Sequence, residues 1–217
     1  ENPVRFEWLE KAMRSLDSAA GSVVPIGLFG DSMAGALGSE LIPKLQQRFG
    51  VGGVGSSFVS SNVGDSSDTL TPTLTSATVL DHGDAFYAHP SCSAYEITAG
   101  GSVEFNLSST VEKLGHWTRA VFIYATSPSD GTLTMTVEQG GATIATTAIS
   151  GNAALGIGVW EVDAGDGLLD GIAPVLTVAG SVATTHFIGC ILLRDRGVFP
   201  LGCAQGGVPL SKQNQTP

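Results

Sequence analysis

The stretch that decides the predicted fold is residues 23–32, with the sequence Val-Val-Pro-Ile-Gly-Leu-Phe-Gly-Asp-Ser. Its first seven residues are continuously apolar, which is typical of a short strand buried on both faces. After the Gly-Asp-Ser turn, four large apolar residues recur every four positions, as on one face of a helix: Leu37, Leu41, Leu45 and Phe49. Because Pro43 interrupts this pattern, the sequence leaves two alternatives, one helix or a pair of short helices. The segment predicts strand, sharp turn and helix, which is half of an α/β unit.

The residues before and after this unit have different sequence patterns. Residues 3–19 are predicted to form a helix, with Asn2 as its cap, Pro3 at its first position and one apolar stripe. Gly, Ser, Thr and Val dominate residues 51–80, which we interpret as a long surface excursion with short extended pieces.

Residues 85–194 have an all-β pattern. Gly140-Gly141 is a hairpin signal between two alternating segments. Seven short strands are predicted, at residues 102–107, 120–124, 132–138, 142–149, 156–162, 175–178 and 185–193. Turn residues separate them at a spacing typical of a β-sandwich or jelly roll.

After residue 196 the sequence is again a short apolar run, as at residues 23–29. Residues 197–204 predict another buried strand, and the Gly-rich residues 205–211 predict a turn of the strand-to-helix kind. The predicted fold class is therefore α/β, an incomplete flavodoxin-like parallel layer interrupted by an antiparallel β-sandwich. We divide the chain into an α/β part at 1–84, an inserted sandwich at 85–195 and a return to the α/β part at 196–217. Because both ends of an insertion meet the same layer, the strand at 198–204 should lie parallel to the one at 23–29.

Composition excludes several classes of protein. The 217 residues carry a net charge of -10 and are 42% hydrophobic and 14% charged, which is too apolar for a disordered chain. Ten Lys and Arg residues are too few for a nucleic-acid surface. The longest apolar runs, at 120–125 and 187–193, fall far short of the roughly 20 residues that span a bilayer. Three cysteines (Cys92, Cys190 and Cys203) and four scattered histidines predict neither a disulfide framework nor a metal site.

Ser32 is the strongest candidate for a catalytic residue. A serine at a strand-to-helix turn lies at the carboxyl end of the strand, where ligands bind in open sheets. Its own backbone N–H, at a helix N-terminus, can stabilise an oxyanion, and Asp31 can tighten the turn. The alternative is an ordinary turn with a helix cap, since Asp and Ser are favoured there.

At these residues the sequence resembles the GDSL/SGNH hydrolase family. Residues 26–32, Ile-Gly-Leu-Phe-Gly-Asp-Ser, match that family's first block, with Ser32 as nucleophile. The Gly-rich stretch 202–210 is similar to the second block, whose glycine N–H contributes to the oxyanion hole. Gly207 fits that role, and Gly206 is the alternative. The resemblance covers the first fifty and last twenty residues and implies an SGNH-like parallel layer.

Two blocks of that family are missing. No Asn-Asp pair occurs, and no histidine has an Asp three residues before it, because Val79, Phe86, Lys113 and Ala183 occupy those positions. Since a serine hydroxyl is a weak nucleophile without a base, an isolated chain should be nearly inactive. We therefore expect the chain to be the N-terminal part of a longer protein, in which other residues supply the Asn and the His.

For the other candidate residues, a purely structural role is the alternative to a binding site. Asp81-His82-Gly83-Asp84 suggests a metal or sugar site, or a solvated loop. Tyr87, His89, Tyr95 and Trp117 suggest an aromatic sugar platform, with core packing favoured instead. Asp163, Asp166 and Asp170 suggest Ca²⁺ only weakly, because their spacing is not that of an EF-hand. His186 lies in an apolar strand and is interpreted as a satisfied core residue.

The resemblance implies a serine esterase that removes acyl groups, such as acetyl, from a polysaccharide or glycan. No cofactor, nucleic acid or membrane is expected, and the implied location is extracellular, at a cell surface or on a virion. The alternative is a non-catalytic glycan-binding or structural module of a virion or cell surface.

Overall fold

The protein is described by a computed structural model over residues 11, 14, 23–30, 32–56, 70–80, 94–107, 117–164 and 172–204. These residues form eleven strands and one long helix. The strands are β1 (Val23–Gly30), β2 (Gly53–Ser56), β3 (Leu70–Leu80), β4 (Ala94–Leu107), β5 (Arg119–Thr126), β6 (Thr132–Gln139), β7 (Ala142–Ser150), β8 (Gly156–Asp163), β9 (Pro174–Gly180), β10 (Thr185–Leu193) and β11 (Gly197–Ala204). The helix is α1 (Ser32–Phe49).

Nine of these strands form one antiparallel sheet. Its order is β7-β6-β9-β4-β10-β5-β8, with β2 paired to β10 and β3 paired to β4. The sheet curls into a nearly closed barrel. Its inward side chains alternate with outward ones, as the period of two requires, and they form the main core. The largest fully buried members are Trp117, Phe105, Phe122, Phe187, Leu70, Ile97, Leu133, Met135, Leu176 and Leu192.

The remaining two strands form a separate parallel ribbon. β1 and β11 pair in register from Val23 with Gly197 to Gly30 with Ala204. This is the parallel neighbour relation expected between residues 23–29 and 198–204, and α1 follows β1 as the pattern indicated.

The predicted α/β, flavodoxin-like class is nevertheless wrong. Antiparallel strands dominate the described chain, and its parallel component is a two-stranded ribbon with one helix. The physical reason is that an apolar strand, a Gly-Asp-Ser turn and a helix identify one local unit, while the class depends on how many strands join it. Over the described residues, the other nine strands join the antiparallel sheet instead. The division at residues 84 and 195 stays a prediction.

One further expectation needs correction, and one open alternative is decided. The segment at 51–80 contains β3, an eleven-residue strand paired with β4 over nearly its whole length, so it is more than an excursion with short pieces. Residues 32–49 form one helix that continues through Pro43, not two helices. Pro43 is exposed, so its ring lies on the solvent side of the helix.

The seven strands predicted between residues 102 and 193 are confirmed as β4 to β10, and β4 starts earlier, at Ala94. The hairpin at Gly140-Gly141 is also confirmed. Both glycines have positive φ, 61° and 79°, as a tight turn between β6 and β7 requires. The helix expected at 3–19 lies outside the described residues, apart from Lys11 and Arg14, which are both helical and exposed.

Candidate functional site

The candidate site lies where the two parallel strands end side by side. Phe29 pairs with Cys203 and Gly30 with Ala204, so the carboxyl ends of β1 and β11 are neighbours at the same edge of the ribbon. In parallel sheets this edge is where ligands bind, because the loops that follow the strands meet there.

Ser32 begins α1 two residues after the end of β1. The first N–H groups of a helix have no partner within the helix, and the helix dipole places partial positive charge there. No acidic residue lies in the first turn of α1 to oppose that charge. The backbone position of Ser32 is therefore suited to hold developing negative charge. Asp31, Gly206 and Gly207 lie outside the described residues, so their predicted roles stay predictions.

One face of the ribbon packs against α1. Phe49 and Val198 are buried together, and Val24, Ile26 and Leu45 pack against them. The helix end is closed by Gly50, whose N–H donates to the Gln46 carbonyl oxygen at 2.8 Å with φ at 89°. A glycine in this left-handed conformation is a common helix stop.

The opposite face of the ribbon packs on the antiparallel sheet. Phe199 is buried against Val121 of β5 and Ile191 of β10, with Val23 and Ile123 partly buried beside them. The two-stranded ribbon is thus covered on both faces at its amino end, by α1 and by the sheet.

A set of backbone hydrogen bonds joins the ribbon to the sheet. The Gly52 N–H donates to the Val198 carbonyl oxygen at 2.9 Å, and the Val198 N–H donates to that of Gly50 at 2.9 Å. The Arg194 N–H donates to the Gly52 carbonyl oxygen at 3.0 Å. These bonds fix the end of α1, the residues just before β2 and the start of β11 relative to one another. Nothing in the sequence pattern beyond the repeated glycines could have indicated this junction.

A second polar cluster lies on the antiparallel sheet. His186 of β10 has its Nδ1 3.0 Å from Asp130 Oδ2 and its Nε2 3.7 Å from Glu96 Oε2. The Asp130 side chain is 7% exposed and the His186 side chain 18% exposed. His186 is therefore hydrogen-bonded and mostly buried, but it belongs to none of the core clusters of the described residues, so the prediction of a core residue is confirmed only in that its ring has partners. Asp130 and Glu96 were missed, because neither is near His186 in the sequence.

The aromatic sugar platform is not formed by the two members that the structure describes. Tyr95 is 3% exposed and Trp117 is 2% exposed, and both belong to the main core. Tyr95 packs edge-on against Phe105, with ring centroids 5.3 Å apart. Core packing is therefore their use, while Tyr87 and His89 lie outside the described residues.

The described ranges contain no group of three or more His, Cys, Asp or Glu side chains able to hold a metal ion. Asp163 is exposed at the end of β8, and Asp166, Asp170 and residues 81–84 lie outside the described part. Cys190 is buried in β10, among the side chains of the main core. Among the described helices, none is long and apolar enough to cross a membrane.

Comparison with known proteins gives a likeness of fold. No protein-family model matches the sequence, and no curated protein matches it. A solved structure of a peptidoglycan O-acetylesterase aligns with a TM-score of 0.61 and 16% identity, over 94% of this chain and 53% of that one. The chain thus spans about half the length of that structure. At this identity the likeness shows a shared fold.

Two carbohydrate-binding modules align more weakly. TmCBM61, solved with β-1,4-galactotriose, has a TM-score of 0.39 at 16% identity, over 57% of this chain and 87% of that one. A family 35 module from Clostridium thermocellum has a TM-score of 0.37 at 10% identity, over 57% of this chain and 98% of that one. Both likenesses are too weak to define the fold further.

Proposed function

We propose that this chain is part of a serine esterase of the SGNH type that removes acyl groups, acetyl in particular, from a polysaccharide or glycan. The observation that carries the proposal is the position of Ser32, at the start of α1 and directly beyond the carboxyl end of a parallel strand. The shared fold with a peptidoglycan O-acetylesterase supports it.

In the proposed reaction the Ser32 hydroxyl attacks the ester carbonyl carbon. A histidine base accepts the hydroxyl proton as the new C–O bond forms, because an unassisted serine is a poor nucleophile. The sugar oxygen then leaves with that proton, and water releases the acyl group from Ser32 as a carboxylic acid in the second step.

Negative charge develops on the carbonyl oxygen during both steps. The Ser32 N–H at the start of α1 and the Gly207 N–H would hold this oxyanion, with Gly206 as the alternative to Gly207. Asp31 would support the turn between β1 and α1. The end of β11 beside the end of β1 supports this assignment, since residues 205–207 follow Ala204 directly.

The base and the Asn of the site are proposed to come from polypeptide outside residues 1–217, in the same protein or a second chain. His186 is a poor candidate for the base, because Asp130 and Glu96 already engage it on the antiparallel sheet. A glycan substrate and an extracellular, cell-surface or virion location follow from the same proposal. The net charge of -10 argues against a nucleic-acid substrate.

A second candidate function is a non-catalytic glycan-binding or structural module of a virion or cell surface. One specific observation favours it: nine of the eleven described strands belong to the antiparallel sheet, so the ribbon is a small part of the described chain.

A fluorophosphonate probe separates the two functions. The protein is expressed from its complete coding sequence, treated with the probe and digested, and the labelled residue is found by mass spectrometry. Labelling of Ser32 that disappears in Ser32→Ala supports the esterase. Absence of label in a folded, complete protein supports the module.

A further inference from the structure

The strand β7 lies at one end of the nine-stranded sheet, so one of its edges has no neighbouring strand among the described residues. Its other edge pairs regularly with β6, from Ala145 with Val137 to Ser150 with Thr132, and a register shift beside Ile144 ends this stretch. In an antiparallel ladder, alternate residues bond to opposite neighbours. The stretch 145–150 therefore presents a regular row of backbone N–H and C=O groups that β6 does not use.

The other edges of this sheet carry features that oppose pairing with a further strand. The edge strand β3 contains Pro72, which lacks an N–H, and Ser76, whose positive φ of 48° accompanies a register shift. The edge strand β8 exposes the charged side chains of Glu161 and Asp163, and β2 is only four residues long. Residues 145–150, Ala-Thr-Thr-Ala-Ile-Ser, contain no charge, proline or glycine. This stretch of β7 is therefore open to pairing.

The inner face of β7 is incompletely covered. On β6, Leu133 and Val137 are fully buried. Their partners on β7, Ile149 and Ala145, pack against the same core but stay partly exposed. A strand added beside β7 would therefore bury apolar side chains in addition to pairing the free backbone groups.

A second copy of β7 matches this edge in geometry. Two identical antiparallel strands are related by a two-fold axis perpendicular to the sheet, which keeps inner side chains beside inner side chains. Ala145 and Ile149 of one copy would then meet the same row of the other copy. Because each copy uses the open edge of its sheet in this pairing, association stops at two copies.

The distribution of charge favours the same arrangement. Each copy has a net charge of -10, but the only charged residue of β6 and β7 is Glu138, opposite Thr143. In an antiparallel pair centred on Thr147, the two Glu138 positions lie about 26 Å apart along the strands, well beyond the screening length of about 8 Å. A parallel pair would place both glutamates at the same end.

We propose that residues 145–150 form an interface between two copies of this chain, in which the two β7 strands pair antiparallel and join the two sheets into one. The inference is independent of the proposed function. A strand of a different protein is the alternative occupant, and the experiment below separates it from a second copy.

The molar mass in solution tests the proposal. The protein is expressed from its complete coding sequence, and its mass is measured by light scattering during size-exclusion chromatography. The expected mass is that of two chains. Ala148→Lys places a charge on the exposed face of β7 near the two-fold axis, where it would oppose the same lysine of the other copy, and should give the mass of one chain.

Thr75→Lys is the matched control, because it adds the same charge to an exposed position of the edge strand β3. It should keep the mass of two chains. The proposal is overturned by a single-chain mass for the unaltered protein, even where a different protein pairs with β7. A mass above two chains, a two-chain mass that persists in Ala148→Lys, or a single-chain mass for Thr75→Lys overturns it as well.

Hydrogen exchange on the unaltered protein provides a second measurement, which does not depend on the folding of a variant. Amide groups of residues 145–150 should exchange more slowly as the protein concentration rises, because pairing protects them. Amide groups of residues 70–75, on β3, should exchange at a rate independent of concentration. Exchange at residues 145–150 that does not change with concentration overturns the proposal.

Discussion

Gly52 and Gly197 lie so close that a Cβ atom on Gly52 would come within 2.6 Å of the carbonyl carbon and oxygen of Gly197. Real Cβ atoms essentially never approach backbone atoms to that distance. The same Gly52 donates its N–H to the Val198 carbonyl oxygen, so the two backbones cannot separate without losing a hydrogen bond. This close approach joins the ribbon that carries Ser32 to the antiparallel sheet.

Gly52→Ala should therefore destabilise the protein. The methyl group meets backbone atoms, which cannot move aside as a flexible side chain can, so a loss of about 1–3 kcal/mol in the free energy of unfolding is expected. Denaturant unfolding measures it. Gly156→Ala is the control, since its nearest neighbour would be Thr126 Oγ1 at 3.4 Å, and it should stay within about 0.5 kcal/mol. Equal stability of both variants would contradict the close approach.

Phe187 should be among the most costly side chains to truncate. It is fully buried, and its ring centroid lies 5.7 Å from that of Phe105 and 6.2 Å from that of Phe122. Phe187→Ala leaves a cavity at the centre of the barrel, with an expected loss of about 3–5 kcal/mol by denaturant unfolding. Val182→Ala, at an 89% exposed position, should change stability by less than about 0.5 kcal/mol. A loss below about 1 kcal/mol for Phe187→Ala would show that this core is not packed as described.

The strands that the sequence predicted differ from β3, which it missed, in how regularly buried and exposed residues alternate along them. In β6, burial alternates strictly from Thr132 to Gln139, so the period of two is visible in the residue types. In β3, only Leu70 is buried and most of the other residues are exposed, which leaves Thr, Ser and Pro without an alternating pattern. The pairing with β4 alone makes this segment a strand, and pairing is a property of two distant segments.

The position of Ser32 was predictable because it depends on local residues, namely an apolar strand, a turn and a helix. The fold class was not, because it depends on which strands pair. The Asp130–His186 contact was not predictable either, since it joins residues 56 positions apart. Their proximity depends on the loop before β6 meeting β10, which no local pattern records.

Asp130 should matter more for stability than Glu96, although both carboxylates face His186. The Asp130 Oδ2 lies 3.0 Å from His186 Nδ1 and is nearly buried, so Asp130→Ala leaves a mostly buried imidazole nitrogen without its partner. The expected loss is about 1–3 kcal/mol. Glu96 is 40% exposed and its oxygen is 3.7 Å from His186 Nε2, so Glu96→Ala should cost less than about 1 kcal/mol. Denaturant unfolding of the two variants checks the order, and the reverse order would contradict this account of the cluster.

Ser32→Ala should abolish hydrolysis while leaving the fold intact. The expected fall in kcat for a small acetyl ester is several orders of magnitude, because a nucleophilic serine and its base act as a unit. The Tm should change little, because the variant keeps the backbone with which α1 begins and alanine is a good helix former. The measurement compares kcat and Tm of the complete protein. Ser39→Ala, a serine further along α1, is the matched control and should keep full activity. If Ser32→Ala retained activity within about tenfold of the parent, the start of α1 would not supply the nucleophile, and the position of Ser32 beyond β1 would be that of an ordinary helix cap.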